Sequence, residues 1–356
     1  MKVLICGAGP TGLTAGVELA RRGVEVTVFE KRTAPSPLSR AVGINPESLQ
    51  RLEPSGVTAA LLAEGVSYRG LVLYRGDRVW TTLDFDAARP ERFGRRHMFG
   101  LPQDRTEAIL AAALERHGGT LRRGCEVTGV AQDEGGVRVT LSDGSEARGG
   151  WLVGADGTHS RVREAVAIGY PGHRLPDVWS IADIDAPGWP HRDRVALALL
   201  PEGRLAAVVP LGGARVRMIS NTEDALAAEP FGVTVAARHD SGQFRVALRM
   251  AERFRAGRVL LAGDAAHSHS PAGGRGMNLG IADACELAER LVVGEIDGYG
   301  AARRRADARI IAGAERMRRV VTARSHAARL ATLGLLRLAT TLPPLRARLA
   351  SNFLYG

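Results

Sequence analysis

Residues 2–30 read KVLICGAGPTGLTAGVELARRGVEVTVFE, and this stretch decides the fold. Lys2 to Cys6 is a short β-favouring run. The apolar residues Leu13, Val17, Leu19 and Ala20 predict a helix from Leu13 to Arg22, which Gly23 ends, and Val24 to Phe29 predict a second strand. With GxGxxG between the first strand and the helix, the whole is a βαβ unit of the kind that binds a dinucleotide. Gly7 permits the tight turn, Gly9 lets a pyrophosphate reach the backbone, and Gly12 lets the helix lie close on the strand. Pro10 and Thr11 complete this cradle, and the helix start offers amide hydrogens and the positive end of its dipole to the phosphates. Glu30 closes the second strand about 20 residues on, where a carboxylate accepts from ribose hydroxyls. Lys31 and Arg32 follow it, and they read equally as flanking the adenosine or as solvated charge.

Two later stretches have the same style. Arg258 to Asn278 reads RVLLAGDAAHSHSPAGGRGMN, a short buried strand that stops at Gly263-Asp264 and runs into a glycine-rich turn. A carboxylate at the strand end can accept from hydroxyls, while glycines let backbone come close to a large polar ligand. Trp151 to Glu164, WLVGADGTHSRVRE, is another strand that ends in an acidic, glycine-containing turn at Asp156-Gly157. The expectation is that the three turns converge on one ligand.

At 356 residues the chain predicts two interlocked domains or one enlarged α/β unit, and an apolar fraction of 45% can fill the core. Lys+Arg of 48 against Asp+Glu of 38 gives a net charge of +10. Most of it is arginine scattered through an Ala/Arg/Gly-rich chain, which reads as composition bias and solvated surface, with no nucleic-acid partner expected. Cys6, Cys125 and Cys285 are far apart and lack metal-binding spacing, so reduced thiols, no metal and a cytoplasmic location are expected. The first strand begins at once and leaves no room for a signal peptide, and no apolar run reaches the roughly 18 residues of a transmembrane span.

Between these turns the pattern changes. Pro46 to Leu52 predicts a short helix, Leu71 to Phe85 is β-like, Thr106 to Arg116 is an amphipathic helix, and Cys125 to Val130 pairs with Val137 to Leu141. From Val178 to about Ala247 short apolar runs (VALALL, LAAVVP, VRMIS, FRVAL) alternate with Gly and Pro, which predicts a mostly antiparallel sheet. Leu279 to Val293 predicts a helix, and Leu330 to Leu336 and Leu342 to Leu349 form a basic amphipathic tail. Packing on the body is the expected role of that tail, with a membrane or partner surface as the alternative. No repeat and no low-complexity linker separates these parts, so the domains interleave. A nucleotide-binding domain is expected over 1–70, 99–170 and 250–320, a substrate-binding sheet domain over 71–98 and 171–249, and a helical tail over 321–356.

GAGPTG with its following Glu, GADGTHSRVRE and AGDAAHSHSPAGGRGMN, in this order, resemble the FAD-dependent aromatic hydroxylases of the para-hydroxybenzoate hydroxylase type, the single-component flavoprotein monooxygenases. The resemblance covers about residues 1–320. It implies a Rossmann-like α/β FAD-binding domain interleaved with a mostly antiparallel substrate sheet and followed by a helical segment. It further implies that Gly263 and Asp264 meet the ribityl chain, and that Pro271, Gly274, Gly276, Met277 and Asn278 lie beside the isoalloxazine ring. Asp156 and Arg161 would support the pyrophosphate region, Arg40 and Gln103 would contact the flavin, and the Val127 backbone would meet adenine.

The chemistry implied is a flavin that takes a hydride from NADPH or NADH, binds O2 as a C4a-hydroperoxide and hydroxylates an electron-rich phenolic or polyketide-like ring. No protein nucleophile is then needed, and no catalytic side chain is assigned; His267 and His269 are expected to be structural. The interval between Asp156 and Asp264 is short for the family, and no extra C-terminal domain follows, so the substrate is left open. Rival readings are a flavin-dependent reductase of isoprenoid double bonds and a non-catalytic flavin-fold accessory of a biosynthetic pathway. The absence of a WxWxIP stretch counts against a halogenase, and a plain NAD-dependent dehydrogenase leaves the Asp156 and Asp264 segments unexplained.

Overall fold

The structure, a computed structural model, describes residues 1–35, 41–88, 97–271 and 273–355. Its first layer is a six-stranded sheet in the order Arg255–Ala256, Val259–Leu261, Trp151–Gly154, Lys2–Cys6, Glu25–Glu30, Thr120–Arg123. All neighbours run parallel except the short edge strand Arg255–Ala256. Strands covered on both faces read as unbroken apolar runs, and Val3, Leu4 and Ile5 are fully buried, as are Val259, Leu260 and Leu261. Helices Pro10–Ala20, Gln103–Arg116 and Gly276–Val293 bury Leu13, Leu110 and Ile281 in the same core. Each such side chain contributes about 1.5–3 kcal/mol when taken out of water.

Register sets where the turns fall. Cys6 pairs with Phe29 on one side and Gly154 on the other, and Gly154 pairs with Leu261. These residues are at or next to the C-terminal ends of four adjacent parallel strands, so the turns at Gly7, Asp156 and Gly263 and the Glu30 carboxylate emerge along one edge.

The second layer is an eight-stranded sheet in the order His267–Ser268, Ala237–Met250, Gly172–Asp185, Arg215–Ser220, Leu205–Gly212, Arg194–Leu199, Gly70–Arg75, Arg78–Asp84. It is antiparallel apart from the pairing of Arg194–Leu199 with Gly70–Arg75. Alternation sends Val72, Ile184, Val208 and Met218 to one face, under Trp189 and Phe231. Leu71, Leu83, Val209 and Leu211 face the other way, against Tyr68, Phe85, Met98 and Leu354. A small sheet of Gly43–Ile44, Met98–Gly100 and Val66–Tyr68 lies between the layers, and Tyr68 Oη donates to the Pro210 carbonyl at 2.5 Å. Val127–Asp133, Gly136–Leu141 and Glu146–Gly149 make a further three-stranded sheet.

The expected α/β architecture, with its antiparallel second sheet and C-terminal helices, is the one found. Element ends differ. The first helix starts at Pro10 instead of Leu13, because Pro suits the first helical position, where no amide partner is needed. Likewise the helices expected from Thr106 and Leu279 start at Gln103 and Gly276. The β-like stretch 71–85 is a hairpin, and helix Val57–Glu64 and strand Thr120–Arg123 were not anticipated. A Cβ at Gly12 would run into the Gly7 carbonyl oxygen, a backbone atom fixed by the sheet. Gly12→Ala should therefore cost about 1–3 kcal/mol in urea unfolding. A change below about 0.5 kcal/mol, within the range of ordinary surface substitutions, would contradict this close approach.

Candidate functional site

At the shared edge the three turns touch. Gly7 has φ +103°, donates its N–H to the Phe29 carbonyl at 2.8 Å, and would press a Cβ against the Ala155 carbonyl and Asp156 backbone. Gly263, at φ +60°, would press one against Thr11. A Cβ on Gly9, by contrast, would meet no atom within 4 Å, so that glycine faces open space at the start of a helix with no side-chain cap. Such a start, with free amides and a positive dipole end, suits an anion. Glu30 stands beside it, its carboxylate accepting from Ala8 N at 2.8 Å and Arg32 N at 3.0 Å. Lys31 and Arg32 are exposed.

The Asp156 carboxylate turns back on its own segment. It accepts from Ser160 Oγ at 2.6 Å and Val162 N at 3.1 Å, at the start of helix Arg161–Ala165, and burial raises its pKa. Arg161 is exposed. Its neighbour Arg163 is buried and joins two turns, donating to the Thr158 carbonyl and the Ala265 carbonyl at 3.0 Å each. Its guanidinium lies 3.9 Å from the Tyr170 ring centroid, and Tyr170 Oη donates to the Asp264 carbonyl at 2.9 Å. Burial pushes the Tyr170 hydroxyl up to about 12, so it remains a donor at neutral pH. Asp264 itself is exposed.

Behind Gly263 is a buried charge cluster that sequence reasoning missed. Asp283 accepts from Gly263 N at 2.8 Å, from His267 Nε2 at 2.7 Å and from Arg303 Nε at 2.7 Å, while Arg303 also donates to Asp307 at 2.5 Å. Donor atoms of His267, Asp283 and Asp307 lie within 4.8 Å of one another, and Arg303 already supplies the positive charge between the two carboxylates. Burial works against a charged His267, yet Asp283 and Asp307 raise its pKa to about 9. Asp307 is pushed up to about 8, by burial first and by Asp283 second. Although burial opposes it, the His267 and Arg303 charges hold Asp283 well below the usual carboxylate range.

The glycine-rich loop leads into helix Gly276–Val293. Asn278 fixes it: its Oδ1 accepts from Asn45 N, and its Nδ2 donates to the Gly43 and Gly274 carbonyls, all at 2.9 Å. Gly274, at φ +63°, faces open space, Gly276 begins the helix, Met277 is buried in the core and Pro271 is half-buried. Arg275 donates to the Asn352 carbonyl at 2.9 Å and so ties the loop to helix Pro343–Tyr355. His269 donates from Nδ1 to the Ser270 carbonyl at 2.7 Å, and burial, then the His267 charge, lowers its pKa to about 4. Gln103 accepts from Ala41 N at 3.2 Å and donates to Glu107 at 2.8 Å. Val127 is buried at the start of its strand, and Arg40 lies outside the described residues.

An edge with an open helix start, a positive-φ glycine turn and an exposed strand-end carboxylate defines a nucleotide-binding α/β protein. The comparisons narrow the class: the chain belongs to the FAD binding domain family, which matches residues 1–307. It is 34% identical over 322 residues to a rifampicin monooxygenase of Streptomyces venezuelae, with 83% of this chain and 65% of that protein covered. The chain thus spans somewhat less than two thirds of that relative. Among solved structures, p-nitrophenol 4-monooxygenase PnpA of Pseudomonas putida DLL-E4 superposes with a TM-score of 0.88 at 22% identity, covering 99% of this chain and 96% of that one, a likeness of fold. A Diels-Alderase of the biosynthetic pathway of pyrroindomycins gives a TM-score of 0.82 at 30% identity, covering 99% of this chain and 80% of that one. The expected kinship with FAD-dependent aromatic hydroxylases therefore holds.

The buried cluster gives a pH dependence. His267 takes up its proton more tightly folded than unfolded, so its stabilisation is complete below the ordinary value of 6.5 and is lost as pH rises through about 9. Asp307, raised from 3.8 to about 8, acts in the same direction. The urea midpoint should fall between pH 6.5 and 9, and His267→Asn should flatten that fall; a midpoint that holds or rises over this window contradicts the assignment.

Proposed function

We propose that this protein is a FAD-dependent monooxygenase that uses NADPH or NADH and O2 to hydroxylate an electron-rich aromatic or polyketide-like molecule. The observation that carries the reading is the meeting of three turns at one sheet edge, with open space at Gly9 and an exposed Asp264 next to the Gly263 that packs on Thr11. The residues suit FAD. Amides at the start of helix Pro10–Ala20 would receive the pyrophosphate, with Gly7, Gly9, Pro10, Thr11 and Gly12 as the cradle. Glu30, Lys31 and Arg32 would serve the adenosine, with the Val127 backbone near adenine. Gly263 and Asp264 would receive the ribityl hydroxyls. Pro271, Gly274, Gly276, Met277 and Asn278 would border the ring together with Arg40 and Gln103.

Bound FAD would supply hydride acceptance and oxygen activation; the chain's own part is to bind, orient and keep water away. Asp156 and Asn278 spend their side chains on the local backbone, so we give both a positioning role. Leu71, Leu83, Val209 and Leu211 are buried against Tyr68, Phe85, Met98 and Leu354, so that face of the sheet is core and is not assigned to the substrate. The unit serving FAD would comprise 1–70, 99–170 and 250–320, the substrate unit 71–98 and 171–249, and the tail 321–356. No helix among the described residues is long and apolar enough to cross a membrane, and the free thiols at Cys6, Cys125 and Cys285 suit the cytoplasm.

The purified protein should be yellow with one FAD per chain, and Asp264→Ala should weaken FAD binding by about 10–100-fold, the loss of hydrogen bonds to a charged group. A colourless protein that gains no flavin absorbance on adding FAD would refute the reading. The Diels-Alderase likeness favours one further reading, a flavin-bearing scaffold that closes rings without O2. An oxygen electrode separates the two. NAD(P)H-dependent oxygen uptake should quicken with the right aromatic substrate, whereas flat uptake across a broad phenol panel supports the ring-closing scaffold, the isoprenoid reductase or the accessory role.

A further inference from the structure

The last two helices carry a surface that the flavin site does not use. His326–Thr341 and Pro343–Tyr355 follow the long helix Tyr299–Val321. Past Glu315 the chain has arginines at 316, 318, 319, 324, 329, 337, 346 and 348 and no Asp or Glu. Of the large apolar side chains that the described residues leave exposed, half fall in this region: Val320, Leu330, Leu335, Leu338, Leu342 and Leu345.

Their arrangement inverts that of an ordinary surface helix. Helix His326–Thr341 turns Thr332, Leu333 and Thr340 inward, and Thr340 Oγ1 lies 2.9 Å from Thr81 Oγ1 on hairpin strand Arg78–Asp84. Ala327, Ala331, Leu335, Leu338 and Leu342, spaced by three and four residues, then share the opposite face, and all are exposed. Leu335 is 66% exposed. Arg337 is held on the body, donating to the Trp80 carbonyl at 2.6 Å with its guanidinium 5.6 Å from that ring's centroid, and Arg329 is half-buried on the inward side. Arg346 and Arg348, on the next helix, are exposed and form no ion pair among the described residues.

We infer that this face rests on an anionic phospholipid surface, with the leucines entering the headgroup boundary and Arg346 and Arg348 meeting lipid phosphates. An apolar stripe accompanied by exposed cations with aliphatic stems is the chemistry of a helix lying in a membrane interface. A second copy of the chain fits less well, because a two-fold contact would set the same arginine-rich, acid-free segment against itself. The inference goes beyond the proposed reaction and does not rest on it.

The test is flotation of the whole chain with vesicles of phosphatidylcholine alone or mixed with phosphatidylglycerol. The protein should float with the mixed vesicles, not with phosphatidylcholine alone, and added salt should release it. Leu335→Ser with Leu338→Ser, and separately Arg346→Gln with Arg348→Gln, should each reduce binding by about tenfold or more, since apolar burial and charge both contribute. Unchanged thermal midpoints would show that both variants fold. No flotation with mixed vesicles overturns the inference, as does flotation that both double variants retain. So does a concentration-dependent dimer in sedimentation velocity that Leu335→Ser with Leu338→Ser disperses.

Discussion

The structure depends on parallel pairing in one register. Because Cys6 is level with Phe29 and Gly154, and Gly154 with Leu261, four strands finish together, and whatever follows them must share an edge. Segments far apart in the chain become neighbours without any long-range recognition beyond strand pairing. Glycine makes the crowding possible: at Gly7 and Gly12 a side chain would collide with backbone that the sheet holds in place.

Turns that are open to a ligand on one side need support on the other. Arg163 bonds the carbonyls of two turns, and Asp283 holds the Gly263 amide from behind. Burying His267, Asp283, Arg303 and Asp307 together is tolerable because each charge meets an opposite one; removing one partner would leave an unpaired charge inside the protein. The cluster also ties helix Tyr299–Val321 to the Gly263 turn, and Arg275 ties the glycine-rich loop to the final helix. The C-terminal helices are thereby coupled to the same edge as the first βαβ unit.

Much of this was legible in the sequence because glycine spacing and apolar period are local signals. The βαβ unit, the order of the three motifs and the antiparallel second sheet all have such signals. Side-chain partners do not. Asp156 is expected to support the pyrophosphate region, and the partners of its carboxylate, Ser160 and Val162, have no sequence signal; nor does Arg163, which joins two turns. Asp283 and Arg303 read as ordinary polar positions of two helices and acquire meaning only when those helices pack. Strand Thr120–Arg123 was hidden because a four-residue edge strand with one apolar residue, Leu121, has too little apolar pattern to show. In helix Val57–Glu64, buried Val57, Thr58 and Leu61 lie among residues without a marked apolar face.

The central claim is that the turns around Gly9, Asp156 and Asp264 serve one extended molecule. Electron density from crystals grown with FAD tests it most directly. The account predicts a single FAD along this edge, with its pyrophosphate at the amides of Gly9 to Gly12, its ribityl hydroxyls at the Asp264 carboxylate and its ring beside residues 273–278. FAD bound at another face of the sheet, or touching only one of the three turns, would contradict it.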